Sequence, residues 1–212
     1  MKTLIYGGLL YVFGVASAYF WNPSFFLDAI QEDGSVEYLT AFALLLMCVY
    51  IVFQVAFKGP ISSKALFFWG SFALLCSIGF GEEISWGQRL LGVESSDFFK
   101  QHNAQQETNF HNLNWGGISI NKLFSQVVTV GLVIYFFIFP IGVRQLKRLS
   151  EWADQWTIPV PGLRHALLFL GVTIGVLWID EPKKWELWEA AIGLLFFLII
   201  LDHKFQEQPH GK

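Results

Sequence analysis

Long apolar runs alternate with short polar segments along this 212-residue chain. Six apolar stretches stand out: Thr3–Phe20, Tyr38–Phe57, Ala65–Phe80, Leu123–Phe139, Leu163–Ile179 and Leu187–Leu201. A helix needs about 20 mostly apolar residues to cross a bilayer, so several stretches must extend into their polar flanks. The pattern predicts one all-α, polytopic membrane bundle over residues 1–212. Its six or so transmembrane helices are expected near residues 3–22, 37–57, 64–84, 119–140, 163–180 and 185–202.

Composition supports a membrane protein. Hydrophobic residues make up 54% of the chain, charged residues 15%, and the mean hydropathy is +0.46, whereas soluble domains carry about 25% charged residues. The net charge of −3 leaves no basic surface of the kind that nucleic acids require, so membrane lipids are the expected partners. Ala16-Ser17-Ala18 imitates a signal-peptide cleavage site, but the apolar stretch continues to Trp21, which favours an uncleaved first helix.

The distribution of basic residues predicts the orientation. With the N-terminus in the cytoplasm, nine Lys and Arg residues fall on the inner side: Lys2, Lys58, Lys64, Arg144, Lys147, Arg148, Arg164, Lys204 and Lys212. Five fall on the outer side: Arg89, Lys100, Lys122, Lys183 and Lys184. The positive-inside rule then favours cytoplasmic N- and C-termini. Residues 144–162 are expected to form an amphipathic cytoplasmic loop, and residues 85–118 a polar outer loop.

Most acidic residues fall on the predicted outer side, some of them within the membrane. Counting about 20 residues per span places Glu82, Glu83, Glu186 and Glu189 at or below the outer rim of the hydrocarbon. Ionisable groups at that depth face the bundle interior or a wet cavity and are typically functional. If the third span continues as a helix, Glu82, Trp86 and Arg89 form one stripe, and a Glu82–Arg89 ion pair is the structural alternative to a site.

The outer loop concentrates amide, carboxylate and imidazole groups between residues 101 and 114. If this segment is helical, Glu107 and His111 meet at i, i+4 and can share a metal ion. Glu186 and Glu189 add a second carboxylate pair, and this donor set suits Mn²⁺, Fe or Ca²⁺. We therefore expect these metal ligands: Glu83, Glu107, His111, Glu186 and Glu189. Both residue pairs also arise by chance, and Glu near a helix N-terminus opposes the helix dipole, so a purely structural role stays open.

Catalytic and binding roles follow from the same residues. Glu82, Glu83 and His111 are the expected catalytic groups, because a half-buried carboxyl suits general acid–base chemistry. A polar headgroup or phosphate is expected to contact Arg89, Trp86, Gln88, Asn103, Gln106, Asn109 and Asn112. The alternative for the amides is a loop that forms hydrogen bonds with itself over the mouth of the bundle.

Two motifs resemble those of a family of uncharacterised polytopic bacterial membrane proteins. They are Gly81–Arg89 (GEEISWGQR) and Gln106–Asn112 (QETNFHN), and the stretch Glu32–Ala41 is similar to a third recurring segment of that family. The resemblance covers about the first half of the chain. It implies a multi-pass protein of the bacterial inner membrane and implies no mechanism.

The sequence thus predicts a membrane protein with a carboxylate, amide and histidine pocket open to the periplasm. The leading hypothesis is an enzyme that acts on a lipid or lipid-linked substrate, with a divalent metal ion as its candidate cofactor. One alternative is a cation- or proton-coupled transporter, which requires a polar route through the inner half of the bundle. Another is a non-catalytic membrane subunit that binds a partner protein through its outer surface.

Overall fold

The computed structural model of the chain describes residues 1–57, 61–115 and 118–203. Lys58, Lys204 and Lys212, which enter the count of basic residues, lie outside these ranges. Within them, extended pairing is limited to an Asn103–Leu113 bridge and an antiparallel pair of two-residue strands, β1 (Asn114–Trp115) and β2 (Ile118–Ser119). Every other secondary-structure element within these ranges is helical, so the all-α prediction is confirmed.

Eleven helices are described. They are α1 (Lys2–Trp21), α2 (Pro23–Ile30), α3 (Ser35–Phe57), α4 (Ser63–Glu83), α5 (Gln88–Leu91), α6 (Asp97–His102), α7 (Ile120–Val133), α8 (Phe139–Gln145), α9 (Lys147–Gln155), α10 (Leu163–Leu177) and α11 (Trp185–Asp202). A π-helical turn, Ile134–Ile138, joins α7 to α8 without a break. It precedes Pro140, whose missing N–H favours such a local change in hydrogen-bond register.

Four helical segments are long and apolar enough to cross a membrane: Lys2–Trp21, Ser35–Phe57, Ser63–Glu83 and Ser125–Gln145. The prediction of about six spans is therefore supported for four of them. The fifth predicted span corresponds to α10, which is apolar but has only 15 residues. The sixth corresponds to α11, which has 18 residues and carries Glu186, Glu189 and Asp202. A membrane protein is the coarser conclusion that helix length and composition support.

The last helix, α11, is the centre of the bundle. It packs against α1, α3 and α10, and its side chains are buried around most of its circumference, including Leu187, Leu195, Phe197 and Leu198. The outer helices instead expose large apolar side chains such as Phe13, Phe57, Phe67 and Leu163. Apolar surface on this scale is typical of contact with lipid.

Different charged groups occupy the two ends of the bundle. At one end, Asp202 accepts from Lys2 Nζ at 2.5 Å and contacts Arg164 and His165, so the starts of α1 and α10 meet the end of α11. At the other end lie the start of α3, the end of α4, the loop after α6 and the start of α11, as the Glu32–Lys183 contact of 3.2 Å illustrates. We call this second end the acidic end.

The predicted amphipathic segment at residues 144–162 contains α9. Its basic and acidic side chains, such as Lys147 and Glu151, are exposed, whereas Ala153 is buried. The helix thus carries charged side chains on its exposed surface. Its position relative to a membrane stays a prediction.

Candidate functional site at the acidic end

The helix α4 ends at Glu83 because the next residues adopt left-handed backbone conformations. Ser85, Trp86 and Gly87 have φ of 47°, 54° and 78°, which a continuing α-helix excludes. The predicted stripe of Glu82, Trp86 and Arg89 is therefore wrong. Two adjacent non-glycine residues with positive φ store strain that surrounding contacts must hold.

The turn folds Trp86 back onto the last turn of α4. Its Nε1 donates to Glu82 Oε1 at 2.7 Å, and its ring lies so close to Gly81 that an added Cβ would approach ring carbons to 2.9 Å. The glycine therefore allows this close approach. Half of the Trp86 surface remains exposed.

The segment between α6 and β1 is a series of turns and not a helix. Asn103 organises it: its amide nitrogen donates to Asn109 O at 2.9 Å and Oδ1 at 2.7 Å, and its Oδ1 accepts from Gln105 N at 2.8 Å. Gln106 has a left-handed φ of 60°. The segment is not helical, so the condition on which Glu107 and His111 would meet at i, i+4 is not fulfilled, and the two side chains engage different partners.

Arg89 is the hub of an ion-pair network. Its Nη2 donates to Glu37 Oε1 at 2.8 Å and to Glu83 O at 3.2 Å, while its Nη1 lies 3.1 Å from Glu107 Oε1 and 3.2 Å from Asp33 Oδ1. The predicted Glu82–Arg89 pair is therefore absent from the described network. Arg89, Glu37 and Glu107 have side chains less than one-fifth exposed.

The electrostatics of this hub follow from its geometry. Burial disfavours the charged form of Arg89, but the hydrogen bond to Glu37 and the charges of Glu37, Glu107 and Asp33 outweigh it and raise the pKa of the guanidinium. Asp33 and Glu37 were not among the predicted site residues. Glu37 also accepts from Asp33 N at 2.7 Å, so it connects the α2–α3 turn to the hub.

Glu107 connects the hub to the strained turn. Its Oε2 accepts from Ser85 Oγ at 2.5 Å and from Asn109 Nδ2 at 3.2 Å. Ser85 is completely buried, and Asn109 Nδ2 also donates to its hydroxyl at 3.1 Å. These bonds hold Ser85 in its left-handed conformation.

Glu82 and His111 form a carboxylate–imidazole pair. Glu82 Oε2 accepts from the backbone N–H groups of Phe110 at 2.6 Å and of His111 at 3.0 Å, and lies 3.3 Å from His111 Nδ1. Asn112 Nδ2 lies 3.0 Å from His111 Nε2. Because an amide nitrogen only donates, Nε2 is the accepting nitrogen and the ring proton is on Nδ1, facing Glu82.

The predicted amide contacts are made largely within the protein. Gln88 Oε1 accepts from Thr108 N at 2.6 Å and from Ser95 Oγ at 3.0 Å, and Asn112 donates to Gln105. Together with the Asn103 and Asn109 bonds, this matches the alternative of a loop that forms hydrogen bonds with itself. A role of these amides in substrate binding stays a prediction.

Glu83, Glu186 and Glu189 form a second group of acids, which we call the interior acids. The charge of Glu83 interacts with those of Glu189, Glu186, Glu37 and Arg89, so the groups lie near one another. Within the described ranges, no hydrogen bond or ion pair is formed by these three carboxylates. Glu83 and Glu186 are partly buried, and Glu189 is exposed.

The predicted metal ligands therefore separate into two places. Glu107 and His111 belong to the hydrogen-bonded network, whereas Glu83, Glu186 and Glu189 are interior acids. In the described part of the chain, no three or more His, Cys, Asp or Glu side chains are already placed around a common metal position.

Comparison with protein-family models, with curated proteins and with solved structures found no match for this chain. The class of protein that fold and composition define is thus a helical protein with four helices suited to spanning a membrane. The resemblance of its motifs to a bacterial membrane family stays a prediction.

Proposed function

We propose that this protein is a multi-pass membrane protein whose interior acids bind a divalent cation and use it in a reaction on a lipid or lipid-linked substrate. The cation is Mn²⁺, Fe²⁺ or Ca²⁺, which carboxylate oxygens favour. Binding requires the three glutamate side chains to turn toward one another. The proposed location is the bacterial inner membrane, with the acidic end toward the periplasm.

One observation carries this proposal: Glu186 and Glu189 are close enough for their charges to act on Glu83 together, and no described ion pair engages these three carboxylates. Three ionised carboxylates that lie close together at the ends of apolar helices repel one another unless positive charge joins them. The charges of Arg89 and Lys183 act on these acids. The donors of Arg89 already contact other carboxylates and a backbone carbonyl, and Lys183 Nζ lies 3.2 Å from Glu32 Oε1. The interior acids are therefore available to an incoming cation.

The middle of α11 supports a site that opens at one end only. From Ala190 to Leu201 every residue is apolar or glycine, and most are buried. These twelve positions span about 18 Å of helix between Glu189 and Asp202. A transporter needs polar groups along its route, so a continuous apolar stretch favours chemistry at the acidic end over transport.

The Glu82–His111 pair supplies a group for proton transfer. Glu82 orients the imidazole, which is the arrangement of a general base with an orienting carboxylate. Asn112 has to release Nε2 before that nitrogen can accept a proton from a substrate. Arg89 and Glu107 act as positioning residues, since Arg89 holds the carboxylates of the hub together and Glu107 holds Ser85 in the strained turn.

Cation binding is testable on purified protein in nanodiscs after treatment with a chelator. Saturation with Mn²⁺ at about one hundred times its dissociation constant adds about 2.7 kcal/mol of stability, or about 5–11 °C in Tm for a chain of this size. We expect this shift in the wild type and its loss in Glu83→Gln and Glu189→Gln. The matched control is Glu151→Gln, an exposed glutamate on α9, which should respond like the wild type.

The melting temperature without metal separates a site from a scaffold. Glu83 has no described partner, so Glu83→Gln should melt at or above the wild-type temperature, because it removes an unpaired charge. A large destabilisation would instead indicate a buried ion pair and contradict the proposal. A wild type with no response to Mn²⁺, Fe²⁺ or Ca²⁺ would overturn it and leave a partner-binding subunit as the better explanation.

The reaction itself is tested with membrane lipids. Nanodiscs that contain a bacterial lipid extract are incubated with wild type, Glu83→Gln and His111→Gln, and the lipids are compared by mass spectrometry. We expect a lipid species that changes with the wild type and not with either variant.

A further inference from the structure

An apolar groove of about 630 Å³ opens on the side of the bundle next to the acidic end. Its walls come from α1, α3 and the end of α4, with α5 above, and include Tyr11, Tyr38, Phe42, Leu45, Phe80 and Leu90. Its volume lies within the range of small-molecule sites. Tyr38, Phe42 and Leu90 are exposed, so the groove is open to the outside.

The groove is apolar except at one end. Tyr11 Oη and Ser35 Oγ are 2.5 Å apart and satisfy each other. Tyr38 Oη donates to Asp33 Oδ1 at 3.0 Å, and Leu90 directly follows Arg89 in the chain. The groove therefore leads from apolar walls on membrane-spanning helices to the Arg89 hub.

The charge at that end selects the headgroup. Asp33, Glu37 and Glu107 carry three negative charges against the one positive charge of Arg89, which leaves a formal charge of −3 + 1 = −2. The Asp33 side chain is 48% exposed, so it can accept a further hydrogen bond. A headgroup with an amine complements this charge, whereas an anionic headgroup is repelled.

We infer that the groove seats an acyl chain of a membrane phospholipid whose headgroup carries a primary amine, with that amine against Asp33. An acyl chain is the occupant because the open side of the groove faces the hydrocarbon that surrounds α3 and α4. This inference rests on the proposed function, since the bound lipid belongs to the class of substrate on which the interior acids act. The first of these acids, Glu83, directly precedes Ile84, which lines the groove.

The test measures lipid that remains bound during purification. Wild-type protein is extracted from vesicles with equal amounts of phosphatidylethanolamine and phosphatidylglycerol, and retained lipid is quantified by native mass spectrometry. We expect about one phosphatidylethanolamine per chain and at least a fivefold preference over phosphatidylglycerol, about the effect of one charge near a membrane surface. Equal retention of the two lipids would overturn the inference.

Two variants and one control localise the lipid. Leu45→Trp fills the groove and should lower phosphatidylethanolamine retention at least about tenfold, whereas Leu74→Trp places the same ring on an exposed face of α4 outside the groove and should have no effect. Asp33→Asn keeps the left-handed backbone that Asn tolerates and should abolish the preference between lipids. Wild-type retention by Leu45→Trp would exclude the groove.

Mn²⁺ binding by the same variants separates this inference from the proposed function. Leu45→Trp should bind Mn²⁺ like the wild type, because it leaves the interior acids unchanged. Specific lipid retention without any Mn²⁺ response would overturn the cation proposal alone. A normal Mn²⁺ response with no lipid preference would overturn the groove alone.

Discussion

Replacement of Arg89 by Gln tests whether the hub holds the acidic end together. Arg89 connects three carboxylates and one backbone carbonyl from four separate segments. The variant leaves Glu37 and Glu107 close together, with side chains only 16% and 13% exposed, and without a counter-ion. Removing one partner of a fully buried ion pair is destabilising by about 3–5 kcal/mol.

The partial exposure of the hub lowers this figure, so we expect a loss of about 2–4 kcal/mol for Arg89→Gln. For a chain of this size the loss corresponds to a Tm lower by about 4–16 °C. Arg89→Lys should fall between Gln and wild type, because a single ammonium group keeps the charge but does not reach all of the acceptors. Tryptophan fluorescence during heating in nanodiscs is a suitable readout, since the chain has nine Trp residues.

Lys100→Gln is the matched control, because its partner Glu94 is highly exposed and such surface pairs contribute little. Adding Glu107→Gln to Arg89→Gln should recover part of the lost stability, since it removes one uncompensated charge. A double-mutant cycle of the wild type, the two single variants and the double variant measures the coupling energy between Arg89 and Glu107 directly. If Arg89→Gln melts like Lys100→Gln, the hub does not stabilise the acidic end and our reasoning about it is refuted.

Three further outcomes can be checked separately. Gly81→Ala should displace the Trp86 ring, lower stability by about 1–3 kcal/mol and increase quenching of Trp fluorescence by iodide; unchanged quenching would contradict the contact. Burial lowers the pKa of His203 to about 4, so as the pH falls below about 6.5 the unfolded chain binds a proton first. This effect removes roughly 2 kcal/mol of stability by pH 5, and His203→Phe should remove that part of the pH dependence. Reporter fusions at Ser150 and Asn103 should lie in the cytoplasm and periplasm respectively, and the same compartment for both would contradict the predicted topology.

The helices were predictable where apolar runs are long. The bounds of α1, α3 and α4 agree with the predicted spans to within two residues, because uninterrupted apolar sequence of that length has few other stable arrangements in a membrane. The helix α2 was not predicted separately. It depends on local features, since Asn22 Oδ1 accepts from Phe25 N at 3.4 Å and Pro23 occupies the first turn.

The candidate site was predictable in only part of its residues, since Asp33 and Glu37 were missed, and its pairing was not predictable. Counting depth along the spans identified Glu83, Glu186 and Glu189 as acids of similar depth, and their mutual electrostatic interaction agrees with that expectation. The partners of Arg89 were not predictable, because the choice of Glu37 over Glu82 depends on a left-handed turn at Ser85. Residues distant in sequence hold that turn, and helical periodicity carries no information about them.

The position of α11 at the centre of the bundle affects the order of assembly. The ribosome makes this helix after α1, α3 and α10, all of which pack against it. Until then, inward-facing side chains such as Ile5, Val12 and Met47 have no permanent neighbour on that side. The helices made earlier must therefore remain in the membrane as a loosely packed group until α11 is made. In that state they are accessible to quality-control proteases and can pair incorrectly. A chain stalled before α11 should for this reason be short-lived in the cell, even though most of its helices are already made.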